Sequence, residues 1–205
     1  MMSFMISFFA GFALSASLIV AIGAQNLFVL RQGLKKEHVG PIVLFCGLSD
    51  AVLIIAGVSG MGALLAAFPQ VAKGFTLAGA GFLFWYGMRT LRHATQSESM
   101  TVTQDASVPL SKALASVAAF TWLNPHVYLD TVLLMGTAST AQPLHLRPFF
   151  AAGAASASFS WFGALGYGAR FLQPLFATPK SWKILDLVIG CVMLFLAILL
   201  LRQIL

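Results

Sequence analysis

The sequence predicts an all-α polytopic membrane protein with six transmembrane helices. Two observations carry this. Of the 205 residues, 59% are hydrophobic and only 9% are charged, with a mean hydropathy of +0.90. A soluble domain carries roughly 25% charged residues, so this composition cannot build a water-facing surface. The charges it does have are spaced to leave apolar stretches of spanning length, about 17–25 residues for a helix.

Taken in order, the first helix is expected over residues 4–30, since no charge occurs before Arg31. A cleaved signal needs a positive segment ahead of a short apolar one, so a signal peptide is not expected here. The second helix covers 39–65, where Asp50 is the only charge down to residue 72. The third, short, covers 72–91. The segment HATQSESMTVTQDASVPLSK is rich in Ser, Thr and Gln and reads as a cytoplasmic linker over 93–111. The fourth helix covers 112–137, where Asp130 is the only charge after Lys112. The fifth covers 147–171. The sixth covers 183–203, with Asp186 in its first turn, where an acid complements the helix dipole.

Nine of the 12 basic residues fall beside the first, third and fifth connections: Arg31, Lys35, Lys36, Arg89, Arg92, Lys112, Arg170, Lys180 and Lys183. Loops rich in Lys and Arg stay in the cytoplasm. Both termini are therefore expected outside. The same distribution explains the pI near 9.8 without a nucleic-acid partner; the expected partner is the lipid bilayer. Cys46 and Cys191 both lie inside helices and read as packing residues. No metal or cofactor is expected.

The linker separates two sets of three helices, 1–92 and 112–205. An odd number per set turns the second set over in the membrane, the inverted repeat common among transporters. Ser49 and Ser158, Gly57 and Gly166, and Gly81 and Gly190 share one offset of 109 residues.

Chemistry concentrates in TWLNPHVYLD, residues 121–130. Pro125 lacks an N–H and clashes with the carbonyl four residues back, so it breaks helix four. The carbonyls it frees near Thr121 must find partners or line a wet cavity, and Asn124 can satisfy one. Its counterpart is IGAQNLFVLRQG in helix one, where Gly23 supplies backbone freedom beside Gln25 and Asn26. Two broken helices facing each other are a recurrent way to build a midplane site.

Asp50 and Asp130 are the sharpest signals. A carboxylate at mid-membrane costs at least ~2.5–3.5 kcal/mol and marks a substrate or ion path. No Lys or Arg lies inside an apolar segment to pair with either. The two acids therefore suit a cation from outside, while Asn26, Asn124 and helix N–H groups suit a carboxylate. Trp122 and Tyr128 flank the break and are candidates to stack on a cation. His126 is a candidate proton relay. The alternative for the acids is that both are protonated and hydrogen-bond between helices.

IGAQNLFVLRQGL, Ser49–Asp50, FLFWYGM and TWLNPHVYLDT together resemble the LysE family, the exporters of basic L-amino acids. The resemblance runs from about residue 10 to residue 200. It implies export of arginine and lysine across the bacterial cytoplasmic membrane and no enzymatic activity. Many members have Pro where this chain has Ala24, so here the helix-one break is expected to rest on Gly23 alone. An aspartate that binds either the cationic substrate or a proton makes the exchange electroneutral, so protons are the expected coupling ion. A homo-oligomer is compatible with this composition.

Three other readings were weighed. GVSG, residues 57–60, matches the Gly-x-Ser-Gly of rhomboid proteases, but no His occurs in helices five and six to serve Ser59. A divalent-cation exporter or channel has few ligands in two carboxylates. A neutral amino acid exporter leaves the two aspartates unexplained.

Overall fold

A computed structural model describes residues 2–20, 23–61, 69–96, 108–176 and 178–202. Among them there are nine α-helices and no strand, the short Met135–Ser139 and eight others. They are α1 (Met2–Ile19), α2 (Ala24–Lys35), α3 (Val39–Ala56), α4 (Pro69–Gln96), α5 (Leu110–Trp122), α6 (Pro125–Val127), α7 (Arg147–Gly168) and α8 (Pro179–Arg202). A π-helical turn, Gly57–Met61, extends α3. A second, Tyr128–Leu134, carries α6 onward to a short helix, Met135–Ser139.

The breaks fall where the residues demand them. α1 stops at Ile19 and α2 begins at Ala24. Residues 21–22 of that expected break lie outside the described residues. α5 stops at Trp122, and α6 restarts with Asn124 as its N-cap and Pro125 at its first position. A proline there loses no hydrogen bond, because the first N–H groups of a helix are unpaired anyway. α2 ends at Lys35 and is capped by Lys36, whose left-handed backbone (φ 56°) turns the Glu37 N–H back onto the Gln32 carbonyl.

Two expected boundaries shift. α4 runs through Arg89, Arg92 and His93 to Gln96, so the expected linker over 93–111 begins as helix. Charges end an apolar stretch without ending a helix, since Arg is itself a good helix former. Most of that linker, 97–107, lies outside the described residues, as does 62–68 of the expected second helix.

Met2–Ile19, Val39–Gly60 and Lys180–Arg202 are each long and apolar enough to cross a membrane. Their outward faces fit that role. Leu44, Leu48, Val52 and Ile55 are exposed along α3, at spacings of three and four that form one helical stripe. Such a stripe facing water would be an aggregation hazard; facing lipid it costs nothing.

Packing pairs α1 with α7, α4 with α8, α3 with α7, and α5 with α3. Small residues let these helices touch backbone to backbone. Gly11 on α1 lies against the Phe150 carbonyl, and Gly153 on α7 lies against the Phe8 carbonyl. The main core holds Phe28, Leu83, Phe120, Phe162, Ile189 and Met193. It leaves a cavity where the two broken helices meet.

Candidate functional site

That cavity measures about 310 Å³, at the small end of ligand-site volumes. Both breaks line it: Gly23, Ala24, Gln25 and Asn26 from the first, Leu123, Asn124, His126 and Asp130 from the second. Asp50 enters from α3 and Ser158 from α7, while Phe82 and Phe120 supply aromatic walls. Among the described residues no Lys or Arg lines it, and His126 is the one basic side chain that does. Asp50 and Asp130, 80 positions apart in sequence, thus face one space that holds no permanently charged cation.

Asp50 is 5% exposed and hydrogen-bonds with the Ser158 hydroxyl. That bond ties the carboxylate to α7 at the cavity wall. Ser158 is not among the site residues the sequence marks; it is one of three serines in the small-residue run AASASFSW, and a hydroxyl carries no charge signal. Only its 109-residue offset from Ser49, the neighbour of Asp50, pointed to it. Asp130 is half-buried, and His126, one helical turn before it, is exposed at the cavity.

The asparagines hold the breaks open. Asn26 is 9% exposed, and its amide donates to the Ile19 carbonyl at 2.9 Å. That carbonyl is one of those left unpaired where α1 ends. The Asn26 oxygen accepts from the Trp161 indole at 3.3 Å. Asn124 accepts from the His126 N–H at 3.1 Å, a side-chain N-cap. Gln25 differs: its buried amide nitrogen makes no well-aligned hydrogen bond and faces the weakly accepting sulfur of Cys46, on a residue that lines the cavity.

Trp122 and Tyr128 do not line the cavity. The Tyr128 hydroxyl donates to the Trp122 carbonyl at 2.7 Å, so a carbonyl freed by the Pro125 break is satisfied by Tyr128 rather than by Asn124. The Trp122 indole donates to Ser49 at 3.3 Å, tying α5 to α3 beside Asp50. These aromatic side chains are spent on the polar groups of the break, leaving their rings outside the site. Tyr128→Phe is therefore expected to leave a part-buried carbonyl unpaired and cost about 0.5–1.5 kcal/mol. Thermal unfolding of the purified protein in detergent checks it.

Gly23 also departs from expectation. Its backbone is extended (φ −106°, ψ 177°), which any residue adopts. A Cβ there would meet nothing within 4 Å. Gly23 itself supplies no special backbone freedom there; the Asn26 amide, by capping the Ile19 carbonyl, is what supports the break. Gly23→Ala is expected to unfold within about 1 kcal/mol of the parent, as read from the same melt.

A bundle of lipid-facing helices around a small charged cavity, walled by two interrupted helices, defines a membrane translocator. The LysE type translocator family model matches residues 16–204, and the chain belongs to that family. Its multi-pass membrane character follows. The arginine exporter protein ArgO of Yersinia enterocolitica is 41% identical over 197 residues, 96% of each chain. ArgO of Escherichia coli (strain K12) is 40% identical over 197 residues, 96% of this chain and 93% of that one. A protein of Mycobacterium tuberculosis named as a candidate amino-acid transporter is 43% identical over 179 residues, 87% of this chain and 89% of that one. No solved structure matches.

Proposed function

We propose that this protein is a secondary active exporter of basic L-amino acids, arginine and lysine, coupled to inward proton movement across the bacterial inner membrane. One observation carries the reading: two carboxylates, Asp50 and Asp130, face a single cavity that no Lys or Arg lines. Two acids that share their cavity with a single imidazole, His126, call for a cation, and the size of the space suits one amino acid. The substrate named for the ArgO relatives, arginine, is a cation of that kind.

Asp50 takes the cationic side chain of the substrate, where a guanidinium donates charge-assisted hydrogen bonds. Asp130 serves as the second acid, nearer the exposed His126, which passes protons. The Gln25 amide, held only by the weakly accepting Cys46 sulfur, and the N-terminal N–H groups of α2 hold the substrate carboxylate, as helix N-termini hold anions. Moving a cation outward against the membrane potential costs about 2.3 kcal/mol per 100 mV. Exchanging it for a proton on the same aspartates removes that cost.

The fold reading behind this is six spans. α1 with α2 makes the first, and α5 with the helical run from Pro125 to Ser139 makes the fourth. The packing favours a 3+3 inverted repeat. Exchanging the halves maps the α1–α7 contact onto α5–α3 and maps α4–α8 onto itself, as a two-fold axis in the membrane plane requires. The basic loops face the cytoplasm and both termini face outward.

Counterflow in proteoliposomes tests the substrate class. Labelled L-arginine is expected to exchange against unlabelled L-arginine and L-lysine, and not against leucine or manganese. Exchange against leucine alone moves the assignment to neutral amino acids.

A further inference from the structure

Past the cavity, three helices bring opposite charges together. Arg31 on α2 places one guanidinium nitrogen 3.1 Å from Asp186 Oδ1 and 3.4 Å from its Oδ2. His93 Nδ1 on α4 lies 3.0 Å from Oδ2. Asp186 on α8 is 3% exposed. The expected start of this helix at 183 moves back to Pro179, because the polar segment PKSWK is itself helical, so Asp186 lies beyond the first turn and answers to Arg31 and His93 rather than to the helix dipole.

The cluster, the cavity and a layer of rings between them are stacked along the same helices. On α2 the order is Asn26 at the cavity, then Phe28, then Arg31. On α4 it is Phe82 and Leu83, then Tyr86, then His93. On α8 it is Leu196 at the cavity and then Asp186. At 1.5 Å per residue, Leu83 to His93 and Leu196 to Asp186 are each about 15 Å along the axis. Phe28, Phe82, Tyr86 and Phe120 contact one another at centroid distances of 4.9–6.3 Å. They form a floor between the cavity and the charges. The Tyr86 hydroxyl is hydrogen-bonded with Arg31, which joins the floor to the charge cluster.

The pairing is poor for its depth. Arg31 Nε has no hydrogen-bond partner, and Asp186 Oδ1 sits within ion-pair distance yet receives no well-aligned N–H. A guanidinium built for stability engages a carboxylate with two parallel N–H bonds. A buried pair with unmet groups adds little stability. It suits a contact that must part.

We propose that Arg31, Asp186 and His93 are a seal that closes the cavity toward the end of the bundle carrying Lys35, Lys36 and Lys183. The inference rests on the exporter reading, because alternating access needs such a closure on one side at a time. The structure is then the state closed to the cytoplasm.

Cysteine labelling in oriented vesicles tests this without substrate, so its outcome stands apart from any transport assay. Ala119→Cys, at the cavity wall, serves as reporter in protein whose exposed Cys191 is replaced by Ser. An impermeant maleimide is expected to reach it only from the face opposite the basic loops. Adding Asp186→Asn is expected to raise labelling from the basic-loop face by roughly tenfold or more. The swap Arg31→Asp with Asp186→Arg is expected to restore protection. The seal is overturned if the reporter labels freely from the basic-loop face in the parent. It is overturned equally if Asp186→Asn and Arg31→Gln, both monodisperse, label at the parent rate, or if the swap fails to protect.

Discussion

Asp50→Asn is expected to reduce proton-driven uptake of L-arginine by roughly 100-fold or more. Removing one partner of a buried, hydrogen-bonded charge pair costs about 2–5 kcal/mol, and every 1.4 kcal/mol is about tenfold. Asn keeps the size of Asp and can still accept from Ser158, so the fold is retained and the loss is read in transport. A detergent melt within a degree or two of the parent separates the two effects. Asp130→Asn is expected to lose less, because Asp130 is only half-buried and water weakens its hold on a cation. Equal activity of both variants and the parent, at every pH gradient, would remove the aspartates from the mechanism.

Gly153→Ala is expected to produce the largest loss of stability from a single methyl group. A Cβ at Gly153 would overlap the backbone carbonyl of Phe8, and one at Gly11 would overlap that of Phe150. A backbone carbonyl inside a helix cannot turn aside, so α1 and α7 must separate. Overpacking costs about 1–3 kcal/mol, occasionally more. Here the contact is reciprocal, so Gly11→Ala with Gly153→Ala is expected to prevent recovery of monodisperse protein. Gly163, on the same helix, has nothing within 4 Å of its Cβ position. Gly163→Ala is the matched control and is expected to melt at or above the parent temperature. Size-exclusion profiles and melts of the three variants decide the matter.

The chemistry of the cavity was legible where a residue's own properties forced the reading. Pro125 has no N–H, so a break at Asn124 follows from covalent structure. Asp50 and Asp130 stand alone in apolar segments, so their cost in lipid marks them. What the sequence could not convey was partnership between distant helices. Asp186 reads locally as a first-turn acid beside Lys183. Its partner is Arg31, 155 positions away, which only the packing of α2 against α8 supplies. Ser158 reads as one more small residue. Tyr128 and Trp122 read as stacking groups, since an aromatic ring beside a break looks the same whether its face or its hydroxyl is used.

Glycine shows the limit most clearly. Gly23 stands beside a helix break and reads as its cause, yet its backbone is ordinary and the space around it open. Gly11 and Gly153 read as unremarkable members of apolar runs, yet a carbonyl lies against each. Periodicity says which face of a helix is apolar. It does not say which point on that face another backbone will touch.

The central claim is that this cavity carries basic amino acids outward in exchange for protons. Uptake of labelled L-arginine and L-lysine into inside-out vesicles with an acid interior tests it most directly. The account predicts uptake of both, collapsing when the pH gradient is dissipated. Vesicles that hold folded protein and accumulate neither would contradict it.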